Sequence, residues 1–291
     1  MTAPRGRRAP RFSLSLFAAC SVVGLLQCGA QRAGLPVRAA PSPAALRGSE
    51  ASVSHSVHVA LGTPRDGDPS DEYFLDQSSF VLSYSPEKRV PNWVAWQLDR
   101  TYLGQLRRRN QFRSDRGLPA RFYRVNENDY LHSGYDRGHM CPSADRQASR
   151  QDNARTFLFT NIEPQLHELN AGPWEKLESY SRRLAQRGSQ LFVVAGGIFG
   201  TPFETIGNGV AVPTANFKII VVLSSGQGPR DVNERTPVLA VLMPNRRGVG
   251  DHDWTEYLTS VDAVERASGY DFLSAIPEHV QRVIEARTAS L

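Results

Sequence analysis

The sequence predicts an α+β fold, a mixed and mainly antiparallel central sheet flanked by helices. Short runs with strand texture recur along the chain. Helical stretches fall between and after them, without the regular strand–helix–strand beat of a parallel sheet. Hydrophobic residues make up 40% of the 291, ample for one substantial core in a single domain.

The first thirty residues read differently from the rest. Arg5, Arg7, Arg8 and Arg11 precede an apolar run from Phe12 to Leu26, which ends near the small residues Gly29 and Ala30. A basic head, a short apolar middle and a small-residue exit describe a secretory signal peptide over residues 1–30. The run is shorter than the roughly twenty residues a membrane span needs, so no integral membrane domain is expected. Cleavage after Ala30 would release a secreted or periplasmic protein. In the alternative, Leu25-Leu26-Gln27-Cys28 resembles a lipoprotein box with a lipid anchor at Cys28, although Gln27 is bulky for that site.

Four of the five net positive charges lie in this leader, which contains no acid, so the rest of the chain carries only +1. Global charge therefore says little about partners. Cys20 and Cys28 also lie there, and Cys141 stands alone in the body. An intramolecular disulfide and a cysteine-rich zinc site are both excluded from the body.

Residues 31–70, rich in Ala, Pro, Ser, Arg and Gly, read as a flexible linker, and residues 71–291 as the folded domain. Phe80 to Tyr84 reads as a strand, followed by a Ser85–Lys88 turn and a second strand from Asn92 to Leu98. Leu191 to Ala195, Phe217 to Leu223 and Val238 to Met243 have the apolar texture of buried strands. Pro173 to Gln186 reads as a helix, with Pro173 suited to its first position and Trp174, Leu177 and Leu184 on its apolar face. Val261 to Ala267 and Pro277 to Arg287 read as shorter helices.

Chemistry concentrates in Asp136-Arg137-Gly138-His139. A histidine can take a proton from water near neutral pH, an arginine offers a planar fork to phosphate, and Gly138 would let the backbone turn between them. The tetrapeptide alone is equally compatible with a surface histidine beside an Asp–Arg pair.

The longer run from Gly134 to Arg146 strongly resembles the signature of the DNA/RNA non-specific endonucleases, the ββα-metal nucleases. The resemblance continues through Asn92 to Leu98, Thr160 to Gln165, Trp174 with Leu177 to Arg182, and Gly269 to Leu273, in order from about Phe80 to Ile276. It implies a ββα-metal motif within the fold and assigns roles position by position. His139 matches the general base. Asn170 matches the single protein ligand of a catalytic Mg²⁺, with Mn²⁺ able to stand in. Glu178 matches the carboxylate that fixes a metal-bound water, and Arg137 and Arg182 match arginines that engage the scissile phosphate. Asp136 is expected to orient its neighbours, and Asn161 to shape the site through backbone hydrogen bonds. Glu163 is left unassigned, between adding charge near the metal and facing solvent.

The residue chemistry is compatible with these roles. Mg²⁺ prefers oxygen ligands and keeps several waters, so one amide oxygen with a nearby carboxylate suffices. Glu178 and Arg182 are four apart and share a helix face, although by themselves they would read as an ordinary exposed ion pair. Eight arginines lie between positions 100 and 124, opposed there only by Asp115. Such a stripe is often plain solvated surface, but it can also attract a polyanion. The resemblance places Arg108 at a phosphate contact, with Arg113 as the fallback. His55 and His58 lie in or near the linker, His132, His167, His252 and His279 lack a partner at metal-ligand spacing, and Cys141 reads as a small buried residue.

Together these readings predict a secreted endonuclease that cuts DNA and RNA with one divalent metal and leaves 5′-phosphates. The rival readings are a secreted nucleic-acid-binding protein without catalysis and a phosphodiesterase for small substrates.

Overall fold

The structure, a computed structural model, describes residues 50–107 and 110–290. The leader, Cys28, the first part of the expected linker and Arg108 lie outside them. No helix among the described residues is long and apolar enough to cross a membrane.

Among the described residues, eleven strands and six α-helices form in the order α1 (Glu50–Ser54), β1 (Tyr73–Asp76), β2 (Val81–Ser85), β3 (Val90–Leu98), β4 (Asp136–His139), α2 (Arg150–Arg155), β5 (Ile162–Gln165), α3 (His167–Leu169), α4 (Glu175–Gln186), β6 (Gln190–Ile198), β7 (Glu204–Ile206), β8 (Val210–Val212), β9 (Ala215–Leu223), β10 (Val238–Pro244), β11 (Leu258–Thr259), α5 (Val261–Ser268) and α6 (Glu278–Ile284). The central sheet runs β1-β2-β3-β6-β9-β10-β11, and every pairing in it is antiparallel. The expected α+β fold is the one observed.

Period-2 alternation sorts each long strand onto two faces. Trp93 and Ala95 of β3, Phe217, Ile219 and Val221 of β9, and Ala240 of β10 face one core, closed by Val261 and Val264 of α5 and Val280 and Ile284 of α6. Val94 and Trp96, Leu191 and Val193, Ile220, and Leu239 and Val241 face the other, closed by Trp174 and by Leu177 of α4. Burial of such side chains contributes about 1.5–3 kcal/mol each. The sheet is therefore held from both sides, and α4 has one fixed surface to sit on.

The linker boundary at residue 70 does not hold for its described part. Residues 50–61 supply Val53, Val59 and Leu61 to the core. His58 is buried; its Nδ1 accepts the Gln97 N–H at 3.1 Å, and its Nε2 donates to the Ser78 carbonyl at 3.1 Å. A ring that both accepts and donates is neutral, and burial beside Arg146 lowers its pKa to about 4. A few isolated buried residues without periodicity leave little trace in composition.

Arg146 is a second staple. It is 1% exposed, and its guanidinium donates to the carbonyls of Ser79, Gln97 and Asp145 at 2.7–2.8 Å, stacked 4.4 Å from the Tyr102 ring. It ties the loop after β4 to β3. A third core, with Val125, Tyr130, Phe159 and Ile162 against Ile206 and Val210, packs the β4–β5 pair against the β7–β8 hairpin.

Candidate active site

β4 and β5 pair outside the central sheet, in the register Asp136↔Gln165, Arg137↔Pro164, Gly138↔Glu163 and His139↔Ile162. Neither strand has the length or alternation that reveals a strand in sequence. Gly138 does not turn the chain, as its flexibility suggested; it lies inside β4. A Cβ there would stand 2.2–2.6 Å from the side chain of the fully buried Gln165. The glycine is needed for close approach.

His139 ends β4 and is 7% exposed. Its ring meets Phe157 edge-on at 5.0 Å and lies 5.3 Å from Phe112, while its carbonyl accepts the Trp174 indole N–H at 3.3 Å. The chain then passes Cys141, whose N–H and carbonyl both bond the Asn161 side chain at 2.9 Å. Asn161 also donates to the Thr156 carbonyl at 2.9 Å, so its amide shapes backbone, as expected. Cys141 is fully buried, and burial pushes its thiol up to about 12. That suits packing and makes a nucleophilic role untenable.

Asn170 follows α3, at the start of a wide turn (Asn170–Trp174) that leads into α4. Gly172 leaves the helical region there (φ −101°, ψ −118°), because the residue before a proline is disfavoured in the α conformation. The expected helix start at Pro173 is thus a kink, with regular helix beginning at Glu175. Asn170 Nδ2 donates to Asp136 Oδ2 at 2.9 Å, and His167 Nδ1 meets the same oxygen at 2.8 Å. An ionised carboxylate only accepts, so it fixes which end of the amide faces it and leaves Asn170 Oδ1 as the outward oxygen.

His139, Asn170, Glu175, Glu178 and Arg182 line one cavity of about 280 Å³. Asn170 also borders a second, of about 470 Å³, lined by Asp136, Arg137, Phe112 and Tyr135. Arg137 lies over the Phe112 ring at 4.4 Å and pairs with Glu127 at 3.3 Å. Arg113 stands apart: its guanidinium donates to the Ala154 carbonyl at 2.6 Å, and it lines a different concavity with Arg107 and Arg150.

Glu178 and Arg182 are not the exposed pair their spacing alone would suggest. Their side chains are 11% and 16% exposed, and their closest approach is 3.8 Å. Arg182 instead bonds Ser179, Glu175 and Asp145 at 2.8–3.3 Å, and Asp145 in turn accepts the Trp96 indole N–H at 3.0 Å. Glu178 faces Lys218 of β9 at 3.4 Å. Lys218 is 2% exposed on the side chain, with its ammonium 3.9 Å from the Trp174 ring centre. Burial raises the Glu178 carboxyl to about 7, against the pull of Lys218 and Arg182. Burial also lowers the Lys218 pKa, and Glu178 opposes that shift.

Lys218, Asp145 and His167 had not been singled out as site residues. Lys218 had a signal, being the lone charge within the apolar run Phe217 to Leu223. A charge at such a position requires a buried partner. Glu163 neither faces solvent nor joins the cavity: fully buried, it accepts Asn216 Nδ2 at 2.6 Å, and burial raises it to about 8.

A buried histidine that ends one strand of an antiparallel pair shares a cavity with Asn170 and Arg182, an arrangement of the ββα-metal nuclease class. The chain belongs to the DNA/RNA non-specific endonucleases, whose family model matches residues 60–279. It is a nuclease, and so a hydrolase. It is 43% identical over 246 residues to a nuclease of Nostoc sp., covering 82% of this chain and 88% of the relative. Human mitochondrial endonuclease G is 32% identical over 223 residues, 72% of each chain. A solved structure titled as the EndoG/EndoGI complex, describing EndoG inhibition, superposes with a TM-score of 0.65 at 27% identity, covering 76% of this chain and 91% of that one.

Proposed function

We propose that the chain hydrolyses internal phosphodiester bonds of both DNA and RNA, with His139 as general base, and leaves 5′-phosphate ends. One observation carries this reading: His139, Asn170, Glu178 and Arg182, spread from β4 to α4, line a single cavity. Neutral His139, its ring held between Phe112 and Phe157, takes a proton from the attacking water. Arg182 and Arg137 reach the phosphate from the two cavities that meet at Asn170. Contacts centred on phosphate carry no base code, which accounts for cutting both nucleic acids.

Asn170 Oδ1 and Glu178 suit a hard divalent cation such as Mg²⁺ or Mn²⁺, which would stabilise charge developing on phosphate and leaving oxygen. Asp136 keeps the Asn170 oxygen turned outward, and Lys218 with Arg182 favours the ionised form of Glu178. Arg113, tied to a carbonyl, is the weaker candidate for phosphate contact, and Arg108 is retained from the resemblance. Export by the leader over residues 1–30 belongs to the same proposal and rests on its composition.

A plasmid-nicking assay with Mg²⁺ tests the mechanism. Cleavage should stop with EDTA, and His139→Ala should lower the rate by about 10²–10⁴-fold with plasmid affinity retained. Undiminished cleavage by His139→Ala removes the base from the mechanism.

A further inference from the structure

The geometry points to a second divalent-cation site, of the calcium-binding kind, formed by Asp262, Glu265 and Glu285 on the sheet face away from His139. α5 and α6 pack on the core that holds Trp93 and Phe217, whereas the catalytic cavity adjoins the core on the other face. Asp262 and Glu265 lie one turn apart on α5, and Glu285 caps the C-terminal end of α6. One carboxylate oxygen from each comes within 4.8 Å of the other two. Oxygens on opposite sides of a Ca²⁺ ion stand about 4.8 Å apart, so three of its ligands fit that spread.

Two partly exposed acids on a helix would carry no such meaning. Glu285 is the independent feature. The residue is 8% exposed, and its Oε1 is buried with no hydrogen-bond partner, against the usual rule that buried polar atoms are satisfied. The neighbours acting on it, Glu265, Asp262 and Asp271, are all acidic, and Arg266 acts on Glu265. The end of α6 adds the negative pole of a helix. Burial and these acidic neighbours disfavour a bare charge on Glu285.

The framework is held without the ion. The Asp262 N–H donates to the Glu285 carbonyl at 3.1 Å, and Glu265 Oε1 accepts the Phe272 N–H at 2.9 Å. A cation would bridge α5 and the end of α6, which the Asp262–Glu285 backbone bond already joins. Ca²⁺ fits better than Mg²⁺, because a three-carboxylate cluster completed by water does not require a strict octahedron.

Thermal unfolding of the full chain at pH 8, with millimolar Ca²⁺ or with chelator, tests the site. Ca²⁺ should raise the midpoint by about 3 °C or more in the wild type. Asn170→Ala, which removes the catalytic ligand, should keep that rise. Glu285→Gln should lose it while melting no lower than wild type in chelator, because it takes one of three crowded carboxyl groups out of the cluster. Asp262→Asn should also lose it, and serves if Glu285→Gln does not fold. The site is refuted by no Ca²⁺-dependent rise in wild type, by a rise that survives in Glu285→Gln, or by one that vanishes in Asn170→Ala.

Discussion

Lys218 sets a buried ammonium beside Glu178, which lines the cavity proposed for catalysis. Its ammonium is wedged between Glu178 and the face of Trp174, where water cannot screen it. Glu178 thereby remains ionisable near neutral pH despite its burial. Because the carboxylate form is the one proposed to act, activity should rise as pH increases through about 7. Lys218→Met, which keeps the volume but removes the charge, should shift that rise upward by about one pH unit, leaving a deficit at pH 7 that shrinks by pH 9. A pH–rate profile decides it, and an unmoved midpoint would show that Lys218 only packs. A motif makes part of the candidate site legible in the sequence: His139, Asn170 and Glu178, which the resemblance names, line one cavity. Lys218 and Asp145 are not legible there, because their importance comes from strands and loops meeting across the sheet.

The β4–β5 pair shows how a short element can depend on one missing methyl group. Alternation reveals strands of the length of β3 or β9, whose faces sort cleanly into two cores. Four residues reading Asp136-Arg137-Gly138-His139 offer no such pattern, and only their pairing with β5 makes them a strand. Gly138→Ala would set a Cβ against the packed Gln165 side chain. The expected cost is about 1–3 kcal/mol of stability. The activity loss should exceed what the unfolded fraction explains, because His139 is the next residue. Urea unfolding and kcat/KM measured on the same preparation test this; an unchanged midpoint would mean that Gln165 simply moves aside. The turn into α4 is hidden in the sequence for a related reason. Pro173 does favour a helix start, but Gly172 and Pro173 together break one helix into two and leave Asn170 at the break.

At the scale of the molecule, several acids are buried with little compensation. Burial raises Glu72 to about 7, and Glu163 and Glu285 to about 8, from an ordinary value of 4.5. The folded chain thus binds protons that the unfolded chain has already released. The stability these groups contribute is complete below the unfolded value and is lost as pH rises through 7 to 8. His58 works in the opposite sense, but its effect is confined to pH below 6.5, since its folded pKa is about 4. In chelator, the urea midpoint should therefore fall between pH 6.5 and 8.5. Glu163→Gln, which can keep the Asn216 hydrogen bond, should flatten the decline; a midpoint flat over that range in wild type would mean that these carboxyls titrate normally.

Asn170 borders two cavities, and this bears on where along a polymer the cut falls. On the proposed function, a strand would enter by one opening and leave by the other, with its scissile phosphate at the shared residue. Circular and linear molecules of the same length then present equal numbers of targets. Strand scission on a closed circle should begin without a lag, and fragment lengths should fall at random from the first turnover.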